Sequence, residues 1–592
     1  MTVSPTPPRL RDRPAASASR RAGLLPWLLL AGWAAQAGVR MLFWWGRTGP
    51  LILPDETGYL FAARWLTGGP PADLSGFSFY QGGYALLLTP AYLIGDDPDT
   101  VYLVARVTNA LLGATVFPLA YLLLVRLGIR RLNALPLAWA AALLPAGILY
   151  GGGLALADTI LPSLVLGWLL ALDRFVRTGH APAAVCASAL AAYACATHMR
   201  GMIVIAVHTV VLAGYALWRR TERSTRRAAL AGLAVTVLGY GAGALLNARL
   251  LDALYPTGER DHTGILLDRL PSLDGQLWAV SGAVGQLWAM ICGTWGLAGV
   301  GVILVARTVL TRTSPTADRI MCGVLLGVTA GVAYASSAAL PNEHRIGNYA
   351  YGRYLACVVV VYALVGLAAL VKVGSVRRVF AATLVLTAFS AAWVRLYGGD
   401  LLERYAFYVW DLPEVGLLGG SYDHFRPAVT TAVAGLLLAV LWALCRWGVP
   451  KLFGALIVVN LSVALIPIFI MRDADESSPV PPLPGARAGR VAVERPEYGT
   501  DRRRPDLYKP TPEMVYLRFA YQVGWTRLEG FDRDRGLPGP DVCTAMVYWP
   551  AGVQAADSWP GHPAGWRYQR SGAGIRGLWW VVWYDPACPA GR

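Results

Sequence analysis

The sequence predicts a polytopic α-helical membrane protein with a small β-rich domain at its C-terminal end. Three observations predict it. The 592 residues are 55% hydrophobic and only 15% charged, with a mean hydropathy of +0.45, whereas a soluble domain carries about 25% charge. Apolar runs long enough to cross a bilayer, about 20 residues each, recur along most of the chain. The last stretch, 472–592, is different material, rich in Pro, charge and Trp.

In order, the apolar runs fall near 24–45, 101–125, 133–150, 157–173, 182–198, 201–218, 228–250, 286–306, 320–338, 354–371, 379–395, 428–445 and 452–471, about thirteen spans by length. The first is too long and too uniformly apolar for a cleaved leader, and no small-residue cleavage site follows it. This divides the chain into an N-terminal tail (1–23), a membrane body (24–471) with a long first outer loop (46–100), and the C-terminal domain (472–592).

Charge sets the orientation. Basic residues cluster before the first run (Arg9, Arg11, Arg13, Arg20, Arg21) and then in every second loop. These are Arg126/Arg130/Arg131, Arg174/Arg177, Arg219/Arg220/Arg223/Arg226/Arg227, Arg307/Arg312/Arg319, Lys372/Arg377/Arg378 and Arg446/Lys451. Only Asp12, Asp173, Glu222 and Asp318 oppose them. Positive loops face the cytoplasm, which makes the N-terminus cytoplasmic and the C-terminal domain extracytoplasmic. The net charge of +16 is thus a topology signal, and no nucleic acid is implied. Heavy Ala, Arg and Gly usage with three Lys fits a GC-rich bacterial genome and hence a plasma membrane.

The C-terminal domain carries β-like runs at Thr544–Trp549 and Gly577–Tyr584. Of eight Cys, six lie in spans and read as small core hydrophobes. Cys543 and Cys588 lie in the extracytoplasmic domain, where a disulfide can form.

Candidate chemistry sits in the outer loops. The first opens on Leu53-Pro54-Asp55-Glu56-Thr57-Gly58-Tyr59. Asp55 could simply cap a helix beginning near Glu56. A carboxylate at the water–lipid boundary can instead serve as general base to a hydroxyl. Between the ninth and tenth runs stands Glu343-His344-Arg345-Ile346-Gly347-Asn348-Tyr349-Ala350-Tyr351-Gly352-Arg353-Tyr354. An aromatic belt would explain its Tyr, but not Arg345 and Arg353 on an outer face; two Arg there suit a phosphate, with His344, Tyr349, Tyr351 and Tyr354 beside a sugar. Arg200 and Arg106 are costly within a bilayer and are functional candidates by default. Asp158 follows Gly151-Gly152-Gly153, read as a tight turn, and caps a helix or lines the same cavity. The charged residues of 396–427, among them Asp411 and Glu414, read as half-exposed loop charge, and 252–280 is uninformative. No zinc spacing, GxSxG elbow or phosphate loop occurs; a divalent cation near Asp55 and Glu56 would have no dedicated motif.

The order of these motifs resembles the C-superfamily integral-membrane glycosyltransferases that use phospholipid carriers, such as the protein O-mannosyltransferases and aminoarabinose transferases. The resemblance rests on Asp55-Glu56-x-x-Tyr59, Ala105-Arg106, Ala157-Asp158 and Gly352-Arg353-Tyr354, and covers 24–471. It implies a donor sugar on a polyprenyl phosphate, attacked with inversion by an acceptor hydroxyl on the outer face. Asp55 would be the base and Glu56 would orient the acceptor or hold the base. Arg345 and Arg353, with Arg200 and Arg106, would face the donor phosphate; Tyr59 and Asp158 would join the sugar and acceptor site. Two positions depart from the pattern: Gly58, where a charge is common, and Ala157-Asp158, where relatives commonly carry Glu. Two other readings remain: a polysaccharide ligase or polymerase of related fold, which would tolerate loss of Asp55, and a lipid-linked sugar flippase. A membrane-anchored glycan binder with a Trp-rich outer domain is a fourth.

Overall fold

The computed structural model describes residues 15–95, 97–372, 377–405, 407–408, 411–473, 490–494, 517, 520–521, 528–537, 539–549, 552–570 and 579–588. It is a helical body with a five-stranded sheet at its C-terminal end. Among the described residues, nine helices are long and apolar enough to cross a membrane, or up to eleven if each of two bent pairs is one span. The chain is a multi-pass membrane protein, but the count of thirteen is not confirmed.

Local chemistry explains the difference. The first helix, α1 (Ala15–Phe43), falls outside the nine and carries Gln36 and Arg40 fully inside the body. After it come α2 (Asp55–Leu66), α3 (Gly82–Ile94) and α4 (Pro98–Ala114), the last running on to Arg126 as one long span. The run at 133–150 breaks between Arg131–Ala141 and Pro145–Gly152 with a 61° bend, where Pro145 has no N–H to continue a helix. The run at 286–306 straddles a 118° break between Leu273–Cys292 and Leu297–Leu310, turned by Trp295 and Gly296 at φ 57° and 79°. The run at 182–198 is the 17-residue helix Ala181–Thr197.

The loops sort to two ends. At one, Asp173 pairs with Arg126 and Arg177 at 2.7 Å each, Arg177 reaches Asp318, and Lys372 donates to the Leu127 carbonyl. At the other, residues 252–272 bracket the first long loop to 337–345. Gly76 and Arg260 exchange backbone bonds with Gly258 and Phe77, and Arg269 donates to the Ala338 and Leu340 carbonyls. A segment without a sequence motif thus ties the loop of Asp55 to the loop of Arg353.

The triple glycine is a packing surface. None of the three has positive φ, and a Cβ on Gly153 would lie 1.8 Å from the Trp44 ring and one on Gly152 2.8 Å from Arg40 Cβ. These glycines let α1 lie against the helix Pro145–Gly152.

The sheet has the order β2-β1-β3-β5-β4, with β1 (Arg490–Glu494), β2 (Leu528–Phe531), β3 (Val542–Trp549), β4 (Arg567–Arg570) and β5 (Trp579–Tyr584). β1 runs parallel to β2 and β3, while β5 is antiparallel to β3 and β4. Both β-like runs fall in strands, though Gly577 and Leu578 lie outside the described residues. A disulfide joins Cys543 in β3 to Cys588 after β5. Trp559, Trp580 and Trp583 are at most 2% exposed; Trp559 and Trp583 build the core of this domain, while Trp580 packs with Val491, Val493, Met546 and Val582 in the core shared with the helical body. This shared apolar face is joined to the body by Tyr521 as well, which donates to the Pro98 carbonyl at 2.8 Å and sets its ring against Tyr102.

Candidate active site

Asp55 opens α2 without capping it; its side chain makes no bond to the helix N-terminus. The carboxylate points sideways instead. Oδ2 meets Arg353 Nη1 at 2.7 Å, and Oδ1 accepts from the Tyr80 hydroxyl at 3.0 Å. Arg353 also holds Asp158 Oδ2, with Nε at 2.9 Å and Nη2 at 2.8 Å. Asp158 Oδ1 in turn takes Arg200 Nη2 at 2.7 Å. Four residues from four distant segments therefore form one chain of alternating charge, Asp55–Arg353–Asp158–Arg200. Asp158 is 1% exposed and the two Arg are 5% and 7%, whereas Asp55 is 29% exposed. Asp55 is the solvent end of a buried network.

Each member is fixed by its local fold. Asp158 sits in the short turn Ala157–Thr159, caps no helix, and faces both guanidinium groups. Arg200 starts the helix Arg200–Leu217 and donates its backbone N–H to His198 Nδ1 at 3.1 Å. Burial first and the Arg200 charge second push His198 well below the usual imidazole range, so it is neutral and can accept. Arg353 lies in the tight turn Gly352–Leu355, over the ring of Tyr150.

A second cluster surrounds Arg345, which pairs with Glu343 at 2.8 Å and Asp411 at 3.3 Å and lies over the Tyr351 ring. Tyr351 and Tyr354 stack with centroids 4.2 Å apart, and Arg200 covers Tyr354. The ring pair thus bridges the two arginine clusters. Asp411 and Glu414 are buried rather than half-exposed loop charge. Burial raises Asp411 to about 6 and Glu414 to about 7. Glu414 lines a cavity with Arg353, Tyr150 and Thr294, and a Cβ on Gly293 would come within 3.3 Å of its carboxyl carbon. Glycine at 293 makes room for that acid.

Other candidates lie elsewhere. Glu56 turns away from Asp55 and is fully buried, accepting from Leu51 N, Ile52 N, Ala155 N and the Tyr102 hydroxyl. All four bonds tie α2 to neighbouring segments, and the adjacent acids share no partner. Among the described residues no group of three His, Cys, Asp or Glu is placed to hold a metal ion. Arg106 donates to the Arg47 and Trp44 carbonyls. It ties down the exit from α1 because those carbonyls follow the last helical turn. Tyr349 packs among Trp278, Tyr397 and Tyr405, and His344 is exposed with its ring edge on Tyr405; neither joins the network. Tyr59 does flank it, with edge contacts to Tyr80 at 5.2 Å and Tyr84 at 4.9 Å.

Tyr80, His198, Asp411 and Glu414 are the site residues that sequence reasoning missed. One signal existed for Tyr80: a Cβ on Gly58 would sit 2.0 Å from its ring, so the departure at Gly58 is what lets Tyr80 lie on α2.

No family model matches the chain, and no curated protein matches it by sequence. Solved structures do match. The chain is similar over 96% of its length to ArnT from Cupriavidus metallidurans bound to undecaprenyl phosphate, with a TM-score of 0.51, 16% identity and 99% of that chain covered. This is the fold of the C-superfamily glycosyltransferases. The apo ArnT structure matches equally, with a TM-score of 0.51, 16% identity, 96% of this chain and 100% of that one. An oligosaccharyltransferase from Archaeoglobus fulgidus is similar at a TM-score of 0.42 and 14% identity, over 88% of this chain and 69% of that chain. Within this ArnT-like fold, Asp55 stands at the exposed end of the network, and Asp158 lies behind it between Arg353 and Arg200.

Proposed function

We propose that the chain moves a sugar from a polyprenyl-phosphate carrier to an acceptor hydroxyl, with inversion, on the outer face of the plasma membrane. The N-terminus is then cytoplasmic and the C-terminal domain extracytoplasmic. The observation that carries the reading is the Asp55–Arg353 pair at 2.7 Å, with the acid half-buried at the open end and the arginine buried. The likeness to an ArnT structure described as bound to undecaprenyl phosphate supports a lipid-linked donor.

The charges allow the reaction. Asp158 balances one of Arg200 and Arg353, which leaves one positive charge that Asp55 neutralises at rest. A lipid phosphate beside Arg353 supplies that negative charge instead and frees Asp55 Oδ2. Released from Arg353, the carboxylate oxygen is open to the acceptor hydroxyl. The acceptor oxygen attacks the anomeric carbon, its proton passes to Asp55, and the bond from that carbon to the phosphate oxygen breaks. Arg353, with Arg200 behind it, meets the charge that develops on the leaving phosphate. A donor that never leaves the bilayer needs no nucleotide-binding loop.

The test is the full chain in lipid nanodiscs with a panel of undecaprenyl-phosphate-linked sugars, reading release of undecaprenyl phosphate. Asp55→Asn should lower turnover by about 10²–10⁴-fold, the usual worth of a general base, with folding unchanged. Near-normal turnover in that variant would overturn the reading and favour the ligase alternative.

A further inference from the structure

Asp55 has two oxygens and both are occupied. Oδ2 faces Arg353, the donor side in the reading above; Oδ1 accepts from the Tyr80 hydroxyl at 3.0 Å. A hydroxyl that hands its proton to a base must stand within about 2.6–3.2 Å of it. Tyr80 therefore puts a hydroxyl at the distance, and on the oxygen, that a reacting acceptor needs. It cannot react itself. Burial first and the Asp55 charge second push the Tyr80 hydroxyl well above the usual phenol range, so it remains a donor.

The way Tyr80 is held fits a removable occupant. Its backbone N–H donates to the Tyr255 hydroxyl at 3.2 Å, and that hydroxyl donates to the Ser78 carbonyl at 3.0 Å. The anchor is on the main chain, so the ring can swing without breaking it. The ring itself lies flat against Gly58, where even a methyl group would clash, and meets Tyr59 edge-on. When the ring leaves, a slot one six-membered ring wide opens over Gly58, with Asp55 at its end and Tyr59 along one wall.

We propose that Tyr80 occupies the acceptor's seat in the resting protein, and that the seat takes a hydroxyl borne on a six-membered ring. This rests on the assignment of Asp55 as base. Tyr80 then decides acceptor specificity, because an acceptor must both displace it and fit its slot.

The full-length protein in nanodiscs tests this with two variants and one probe. Asp55 is labelled with a water-soluble carbodiimide and glycine ethyl ester, and the rate is read by mass spectrometry. Tyr80→Phe and Tyr80→Ala should both label several-fold faster than wild type. The probe p-cresol, which restores a ring-borne hydroxyl, should protect Asp55 in Tyr80→Ala and leave wild type unchanged. In turnover of undecaprenyl-phosphate-linked sugar, p-cresol should inhibit Tyr80→Ala by re-occupying the seat. Labelling of Tyr80→Phe at the wild-type rate would overturn the proposal. So would p-cresol stimulating Tyr80→Ala, because that is what a needed supporting residue shows. If Asp55→Asn keeps full turnover, the base assignment fails. If that variant is dead but the Tyr80 results go the wrong way, only the acceptor seat fails.

Discussion

Arg353 Nη1 and Asp55 Oδ2 are 2.7 Å apart although 298 residues separate them in the chain. The pair closes the buried chain Asp55–Arg353–Asp158–Arg200 at its exposed end, and under the proposed function it would make donor phosphate and base rivals for one guanidinium.

That rivalry has a sign. Arg353→Ala should weaken binding of undecaprenyl phosphate by about 1.5–3 kcal/mol, the range for hydrogen bonds to charged groups. Asp55→Asn should instead bind the lipid as tightly as wild type or tighter, since it removes the competing carboxylate. Titration of labelled lipid into nanodiscs checks both, and weaker binding in Asp55→Asn would contradict the competition.

Arg106 should behave differently from Arg353. Its guanidinium is committed to the Arg47 and Trp44 carbonyls. Arg106→Met removes both charge-assisted bonds, leaving the Trp44 carbonyl only its long bond from the Arg47 N–H at 3.3 Å, at about 1–3 kcal/mol, and should lower Tm. Lipid affinity of the variant that still folds should stay within two-fold or so of wild type, far below the effect at Arg353.

Asp411 and Glu414 give a pH dependence. Both folded values, about 6 and about 7, lie above the ordinary carboxylate range because of burial. The folded state therefore holds more protons than the unfolded state across that window. Stability is greatest below the unfolded values and falls as pH rises through about 6 and about 7. Thermal denaturation across that range should show Tm falling in wild type and a flatter profile in Asp411→Asn and Glu414→Gln. An unchanged slope in both variants would assign the effect elsewhere.

Gly58→Ala tests the support of Tyr80. The new methyl would sit 2.0 Å from the Tyr80 ring, and overpacking of this kind costs about 1–3 kcal/mol. The ring should be displaced, so Asp55 should label with carbodiimide faster than in wild type while Tm falls modestly. Wild-type labelling would mean that the ring stays against Asp55.

Much of the fold was legible because lipid imposes a simple rule: long apolar runs become helices, and most of them did. Two of the runs outside the nine spans are apolar throughout but break in their backbone, at Pro145 and at Trp295–Gly296, while α1 carries buried Gln36 and Arg40 and Ala181–Thr197 is only 17 residues long. Hydropathy records solvent preference and is blind to the direction of the axis. The site was legible in part for a similar reason. Asp55, Asp158, Arg200 and Arg353 stood out because charge near lipid needs a reason, and the structure joins all four. Arg106 and Glu56 stood out equally, yet both spend their polar atoms on holding the backbone. Composition cannot distinguish an arginine that binds carbonyls from one that waits for a ligand. Tyr80 and the bracket at 252–272 had no such signal, since a tyrosine or a polar loop at the boundary is ordinary.

The sequence by itself determined that this is a helical membrane protein with a separate β-rich end, and which few charges needed an explanation. Both follow from the cost of placing polar groups in hydrocarbon, which is additive along the chain and readable residue by residue. Only the tertiary structure decided which of those charges meet, that Asp55 is held at both oxygens, and that Tyr80 is one of the two holders. Those facts depend on distances between segments 25 to 298 residues apart, which packing sets and local chemistry does not.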